Sequence, residues 1–452
     1  SLGGPIVKNK TFFFALYDGL LVNGRTTQNP LVLTPCARNG IFRYYDGWNN
    51  GNTTTTLAAT GATPTIPVVD ALGNPLQPAF NPGAQNSTNP FTGQLRYVSV
   101  FGPVTNPTAL NADCSNAQIG SVPNTSTGTW DTNRKAVDPT GFVNKVMGRI
   151  PLPNNYEVGD GLNTAGYRWT RSERDGAENI FAFGGNLGRK QINMKIDHNF
   201  STSQKVAGSY TYEVSSGNAG YEIVPDGYRG AVTRKPQTLS VTFTSTLSPT
   251  LLNEARLGYR LTKGRTYSAF NNPETGQDAL AFFPTMNGYP VNIGLQTFGQ
   301  NSWQIPVASG TATYFDDTSL WTYADTISWT KGAHVIKVGG ELRRGHSVGQ
   351  DAINNLIPTA VGGDTQLAAI PAGAISSTNI PGLAGSTTTG NNLLMRQMLS
   401  FFAGSLANVN QGSWITDPTN VDTFSDYKNF DHRIRDMHNQ NEASVFFKDD
   451  WK

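Results

Sequence analysis

The residues with reactive or metal-binding potential are few: five histidines, two cysteines and a scatter of carboxylates. Asp431, His432, Asp436 and His438 fall close together, and carboxylate with imidazole binds transition metals. No cysteine or third histidine supports the group, so the stretch also reads as a solvated polar loop before a strand. His198, His334 and His346 are scattered. No nucleophile elbow, zincin helix or phosphate loop is present. Gly3-Gly4 runs into Pro5 and extended chain, not a helix, and so lacks the usual phosphate cradle. The sequence therefore points away from an enzyme, and no catalytic residue, metal or cofactor is expected. Cys36 and Cys114 are the only cysteines and share one long polar stretch. In an exported protein they are a disulfide candidate; in a cytosolic one they are two idle thiols.

The remaining polar groups are placed to line a surface. Over 190–215, Ile192, Met194 and Ile196 alternate with Asn193, Lys195 and Asp197. After a short turn, Val206, Gly208, Tyr210, Tyr212 and Val214 alternate with Ala207, Ser209, Thr211 and Glu213. This is the two-residue period of a strand, with one apolar and one polar face. The unit recurs at 236–262, with Leu239, Val241, Phe243, Leu257 and Tyr259 on one face and Glu254, Arg256 and Arg260 on the other. It recurs again at 318–344, where Trp321, Tyr323, Trp329 and Val338 oppose Lys337, Glu341 and Arg343. Asp325 falls on the Trp face, where only a bulge would re-aim it. Ala443, Val445, Phe447 and Trp451 close the chain in the same rhythm.

These strands are set in an unusual frame. Of 452 residues only 15% are charged, the net charge is +2, and Gly, Asn, Thr and Ser abound. So small a charge gives no bulk field toward nucleic acid. No apolar run is long enough for a membrane helix, which leaves membrane barrels open because their strands signal weakly. The first residue is Ser1 and the last residues follow a strand pattern, so the chain reads as an internal piece of a longer protein. Eight strands are expected at 11–22, 190–201, 204–215, 236–247, 250–262, 318–330, 333–344 and 442–452, with a ninth at 1–8. Between them, 24–188 shows no sustained period and reads as a very long external loop or an inserted subdomain. Residues 345–440 read as a second long loop, with a helix near 392–407.

Short turns alternate with long polar connections throughout, which is the habit of outer-membrane barrels. The expected fold is all-β: an incomplete antiparallel transmembrane β-barrel segment of eight or nine strands, with very long extracellular loops and one short loop helix. On this reading Ile192, Ile196, Tyr210, Tyr212, Val241, Phe243, Leu257, Tyr259, Trp321, Trp329 and Val338 face lipid. Lys195, Asp197, Glu213, Glu254, Arg256, Arg260, Lys337, Glu341 and Arg343 face the lumen. Cys36 and Cys114 would pair in the first external loop. A large soluble β-sandwich with long loops is the alternative that the same alternation allows.

Five stretches, in order, carry a family likeness: GGPIVKNKTFFFALYDG, LNEARLGYR, WTKGAHVIKVGGELRRG, MLSFFAGSLANVNQGS and VFFKDDWK. Together they resemble the barrel of TonB-dependent receptors of the Oar-like kind, which carry a carboxypeptidase-regulatory-like domain. The resemblance spans the strands and leaves the long loops uncovered. It implies a plug domain that contacts the TonB complex and a barrel of about 22 strands. It also implies binding and energised uptake of an unidentified nutrient at the outer membrane of a Gram-negative-type bacterium. The partners so implied are outer-membrane lipid, the TonB complex through the missing plug and an unknown extracellular ligand, with no nucleic acid. Surface adhesion or matrix binding without transport is the alternative role.

Overall fold

Alternating apolar and polar residues give the chain one dominant sheet. The computed structural model describes residues 1–452 apart from 22–23, 52–64, 67, 77–93, 124, 174–187, 220–221, 273, 287–288, 296–313, 351–358, 363–372, 412–414, 418, 425–435 and 452. The main sheet has ten strands. They are β1 (Leu2–Val7), β2 (Thr11–Leu21), β3 (Gly188–Asn199), β4 (Gln204–Ala219), β5 (Gly230–Arg234), β6 (Gln237–Ser248), β7 (Leu251–Tyr267), β8 (Tyr314–Lys331), β9 (His334–Gln350) and β10 (Asp436–Trp451). Each pairs antiparallel with its neighbour, and β1 and β10 form the two edges.

The sheet has nine strand positions, because β5 and β6 share one. β6 bridges β4 and β7 over most of its length, and β5 takes over where Ser215–Ala219 meet Gly230–Arg234. Pro236 marks the break, since it has no N–H to give a ladder. Its carbonyl accepts from Glu213 N at 3.0 Å, and Lys235 N donates to Lys263 O at 2.8 Å, so the seam stays bonded.

Every connection at one end of the sheet is short. Asn9 takes φ 61° between β1 and β2, and Gly332 takes φ 61° between β8 and β9, the left-handed geometry tight hairpins need. Ser201 Oγ accepts from the backbone of Ser203 and Gln204 between β3 and β4. The strands run longer than the periodicity indicates, reaching 17 and 18 residues in β7 and β8. β5 is a strand the periodicity does not reveal.

At the other end the long connections fold together into a cap. Residues 24–188, read from sequence as lacking any sustained period, share a hydrophobic core with the later connections. Leu33, Phe42, Val100 and Val146 pack there with Phe270, Ile375, Met395, Leu399 and Phe401, all nearly or fully buried. The α-helices among the described residues are α1 (Pro35–Arg38), α2 (Phe142–Arg149), α3 (Gly276–Phe282) and α4 (Gly390–Phe402). In α2, Val143, Val146 and Met147 share the buried face, at helical spacing. The helix expected at 392–407 is α4. It begins two residues earlier and stops at Phe402, because Gly404 at φ 67° ends it close against Asp138.

Candidate functional site

Opposed residues in an antiparallel ladder share a face. Ile196 pairs with Phe13 and Gly208, Val241 with Gly208 and Leu257, and Tyr323 with Leu257 and Leu342. One face of the sheet therefore carries Ile192, Ile196, Tyr210, Tyr212, Val241, Phe243, Leu257, Tyr259, Trp321, Trp329 and Val338. Much of it is exposed, with Ile196 at 52% and Phe447 at 69%. The Tyr259 and Trp321 rings lie 4.3 Å apart on it.

The opposite face carries Lys195, Asp197, Glu213, Glu254, Arg256, Arg260, Lys337, Glu341 and Arg343 by the same registers. Several are paired two residues apart along one strand. Lys195 meets Asp197 at 3.0 Å, while Glu254 meets Arg256 and Glu341 meets Arg343. Arg343 also approaches Glu442 on β10 at 3.7 Å. Exposed pairs of this kind contribute little stability, about 0–1 kcal/mol each. Their effect is to make the surface wettable and ready to meet polar groups.

Asp325 sits on the apolar face. Its ladders with β7 and β9 run without a register shift, so no bulge re-aims it. Asn253 Nδ2, on the same face, donates to its carboxylate. The small residues Ala255 and Gly340 stand opposite it in the register.

The cap is held by polar clasps between loops distant in sequence. Cys36 and Cys114 are joined by a disulfide, with Cα atoms 4.8 Å apart. The Asp160 carboxylate accepts from Asn163, Thr164 and Asn50. Asn391, at the start of α4, donates to Trp48 O at 2.8 Å and accepts from Asn50 N at 2.8 Å. Asp138 N donates to Phe402 O at 2.8 Å, so the first long loop grips α4 at both ends. Arg149 lies over the Tyr228 and Phe282 rings and donates to Asp278 at 2.7 Å, tying α2 to two further loops. Hydrogen bonds from Tyr228 and Arg149 hold the Asp278 carboxyl below its ordinary range.

Between the first long loop and the last, the cap opens a cleft of about 260 Å³. Tyr44, Arg96, Tyr97 and Trp130 line one side, and Asn379 and Pro381 the other. Tyr44 Oη donates to Pro381 O at 3.0 Å, and burial pushes its phenol up. Arg96 is held by Asp46 at 2.7 Å, which keeps its guanidinium charged. Ring faces with a cation and an amide suit a planar or sugar-like polar ligand. A second opening, about 410 Å³, is lined by Asn133, Arg134, Lys135 and Ser405. Sequence periodicity gave no sign of either cleft, since their residues lie in loops hundreds of positions apart.

Among the described residues no three His, Cys, Asp or Glu side chains gather as a metal site. Asp431 and His432 lie outside the described residues. Among the described residues no helix is long and apolar enough to cross a membrane, which says nothing of strands.

A single antiparallel meander, apolar on one face and charged on the other, defines an all-β protein of the barrel-forming type. The family model for the outer membrane beta barrel domain matches residues 1–452, and the chain belongs to that family. It is a protein of the outer membrane of a Gram-negative-type bacterium, and membrane lipid is one of its partners. No curated protein matches the chain, and no solved structure does.

Proposed function

We propose that the chain forms part of the barrel of a TonB-dependent, Oar-like receptor that binds a nutrient outside the cell and takes it up with energy from the inner membrane. The apolar face of the sheet meets lipid, and the face bearing Lys195, Glu254, Arg256, Glu341 and Arg343 lines the lumen. The capped end is extracellular and offers the ligand its first contact. The TonB complex is reached through a plug domain, and no enzymatic step takes part. The observation that carries the reading is the asymmetry of the molecule. One end has only hairpin turns, while the other has a folded cap with clefts above a charged inner face. Long external loops over a polar interior are what a receptor barrel requires.

A second reading is adhesion without transport. The cap's own buried core favours it, because a packed, clasped surface can bind a matrix without moving anything. Photocrosslinking in living cells decides between the two. The full receptor with a photoreactive residue in its TonB-contacting segment is expected to yield a TonB adduct. Absence of any adduct, with the receptor correctly in the outer membrane, would leave adhesion.

A further inference from the structure

The apolar face does not stay apolar to the rim of the cap. By register, Lys190 continues the row of Ile192 and Ile196 on β3, and Lys263 that of Leu257 and Tyr259 on β7. Arg344 stands directly opposite Trp321 on β9. All three are exposed, and none has an ion-pair partner among the described residues. Lys190 is nine residues from the short-turn end of its strand at Asn199, Arg344 ten from His334 and Lys263 twelve from Leu251. A strand tilted near 45° climbs about 2.3 Å per residue, so these cations lie about 21–28 Å above the short turns. That is the height of a barrel's apolar band, about 25 Å.

The carboxylates of this face do not cancel them. Asp317 is held in two hydrogen bonds by Arg265, at 2.6 and 2.9 Å, and Arg265 also lies over the Phe315 ring. Asp325 is far toward the short turns and bonded to Asn253. Three steps across the sheet separate Lys190 from Lys263 and two separate Lys263 from Arg344. At the usual strand spacing these are about 14 and 10 Å. A single small anion cannot span them, but the headgroup of a lipid carrying several phosphates can.

We infer that Lys190, Lys263 and Arg344 form a binding rim for phosphate-bearing lipid headgroups in the leaflet on the cap side. The inference rests on the proposed assignment of the apolar face to lipid. Each cation sits where the acyl region gives way to headgroups, so it keeps its own hydration on one side and meets phosphate on the other. Arg344 offers a fork of donors to one phosphate, and the two lysines act as point charges. The opposite end has a different character. There Lys331 lies over Trp329, and His334 is bonded to Asp449, within a mixed polar belt.

The test uses the full receptor in mild detergent, titrated with diphosphorylated lipid A and with its dephosphorylated form. Wild type is expected to prefer the phosphorylated lipid. The variant Lys190→Gln, Lys263→Gln, Arg344→Gln is expected to bind it roughly a hundredfold more weakly, about fivefold per charge. Lys331→Gln, on the same face at the other end, and the charge-keeping Lys190→Arg, Lys263→Arg pair are expected to bind as wild type. Equal binding of both lipids by wild type, or a triple variant that binds the phosphorylated lipid as wild type does, overturns the inference. A bimane label on Val241→Cys, in vesicles of tail-brominated phosphatidylcholine, separates the two layers of the argument. Quenching without phosphate preference removes only the rim; no quenching removes the lipid face as well.

Discussion

Asp325 is the residue that most strains the simple picture of an apolar belt. A carboxylate on a face proposed to meet lipid is costly, and here the Asn253 amide donates to it. Replacing both, Asn253→Leu with Asp325→Leu, is expected to stabilise the folded protein in vesicles by about 1–2 kcal/mol. Urea unfolding monitored by tryptophan fluorescence measures it. A loss of stability of that size would mean the face meets something polar. The disulfide makes the second residue-scale prediction. It closes 78 residues of the first long loop, and constraining that loop in the unfolded chain contributes about 4–5 kcal/mol in the chain-entropy model. Cys36→Ser with Cys114→Ser is expected to open the cap to protease between those positions while the sheet remains resistant. A cap equally resistant without the bond contradicts it. The cysteine pairing was legible in sequence because only two cysteines exist and one stretch holds both. The environment of Asp325 was not, because its partner Asn253 lies 72 residues away.

At the scale of elements, helix α4 depends on partners from the first long loop. Asn391 is 1% exposed, and its amide serves Trp48 O, Asn50 N and Asn50 Oδ1. Asn391→Leu keeps the bulk and removes those hydrogen bonds, a cost of about 1–3 kcal/mol. Hydrogen exchange over 390–402 is expected to quicken in this variant while the strands of the main sheet keep their protection. Unchanged exchange in α4 would show that its apolar packing alone holds it. The strands were readable from sequence because one face repeats every two residues, and α4 because Leu394, Met398, Phe401, Phe402 and Ser405 fall near helical spacing. The cap was not readable. Its order rests on Asn, Asp and Thr side chains bonding backbone in other loops, and such clasps leave no period. Strand β5 escaped for a local reason: Pro236 interrupts the pattern, and only five residues lie before the break.

Over the whole molecule, the sheet and the cap divide the work. The sheet keeps its apolar side chains exposed on one face, while the buried core lies in the cap. This inverts the soluble β-sandwich weighed at the start, whose sheets would bury their apolar faces against each other. The sheet's ends are open in the described residues, with β1 and β10 each paired on one side only. Free strand edges are not tolerated in hydrocarbon, so in the membrane both must find partners. The central claim is that one face meets lipid and the other an aqueous lumen. Single cysteines placed in the protein test it most directly, since Cys36 and Cys114 are already bonded and do not react. Cysteines at Lys195, Glu213, Arg256 and Glu341 are predicted to label readily with a membrane-impermeant thiol reagent in intact outer membranes, and those at Ile196, Tyr210, Val241, Leu257 and Val338 to stay unlabelled. Equal labelling of the two sets would contradict the account.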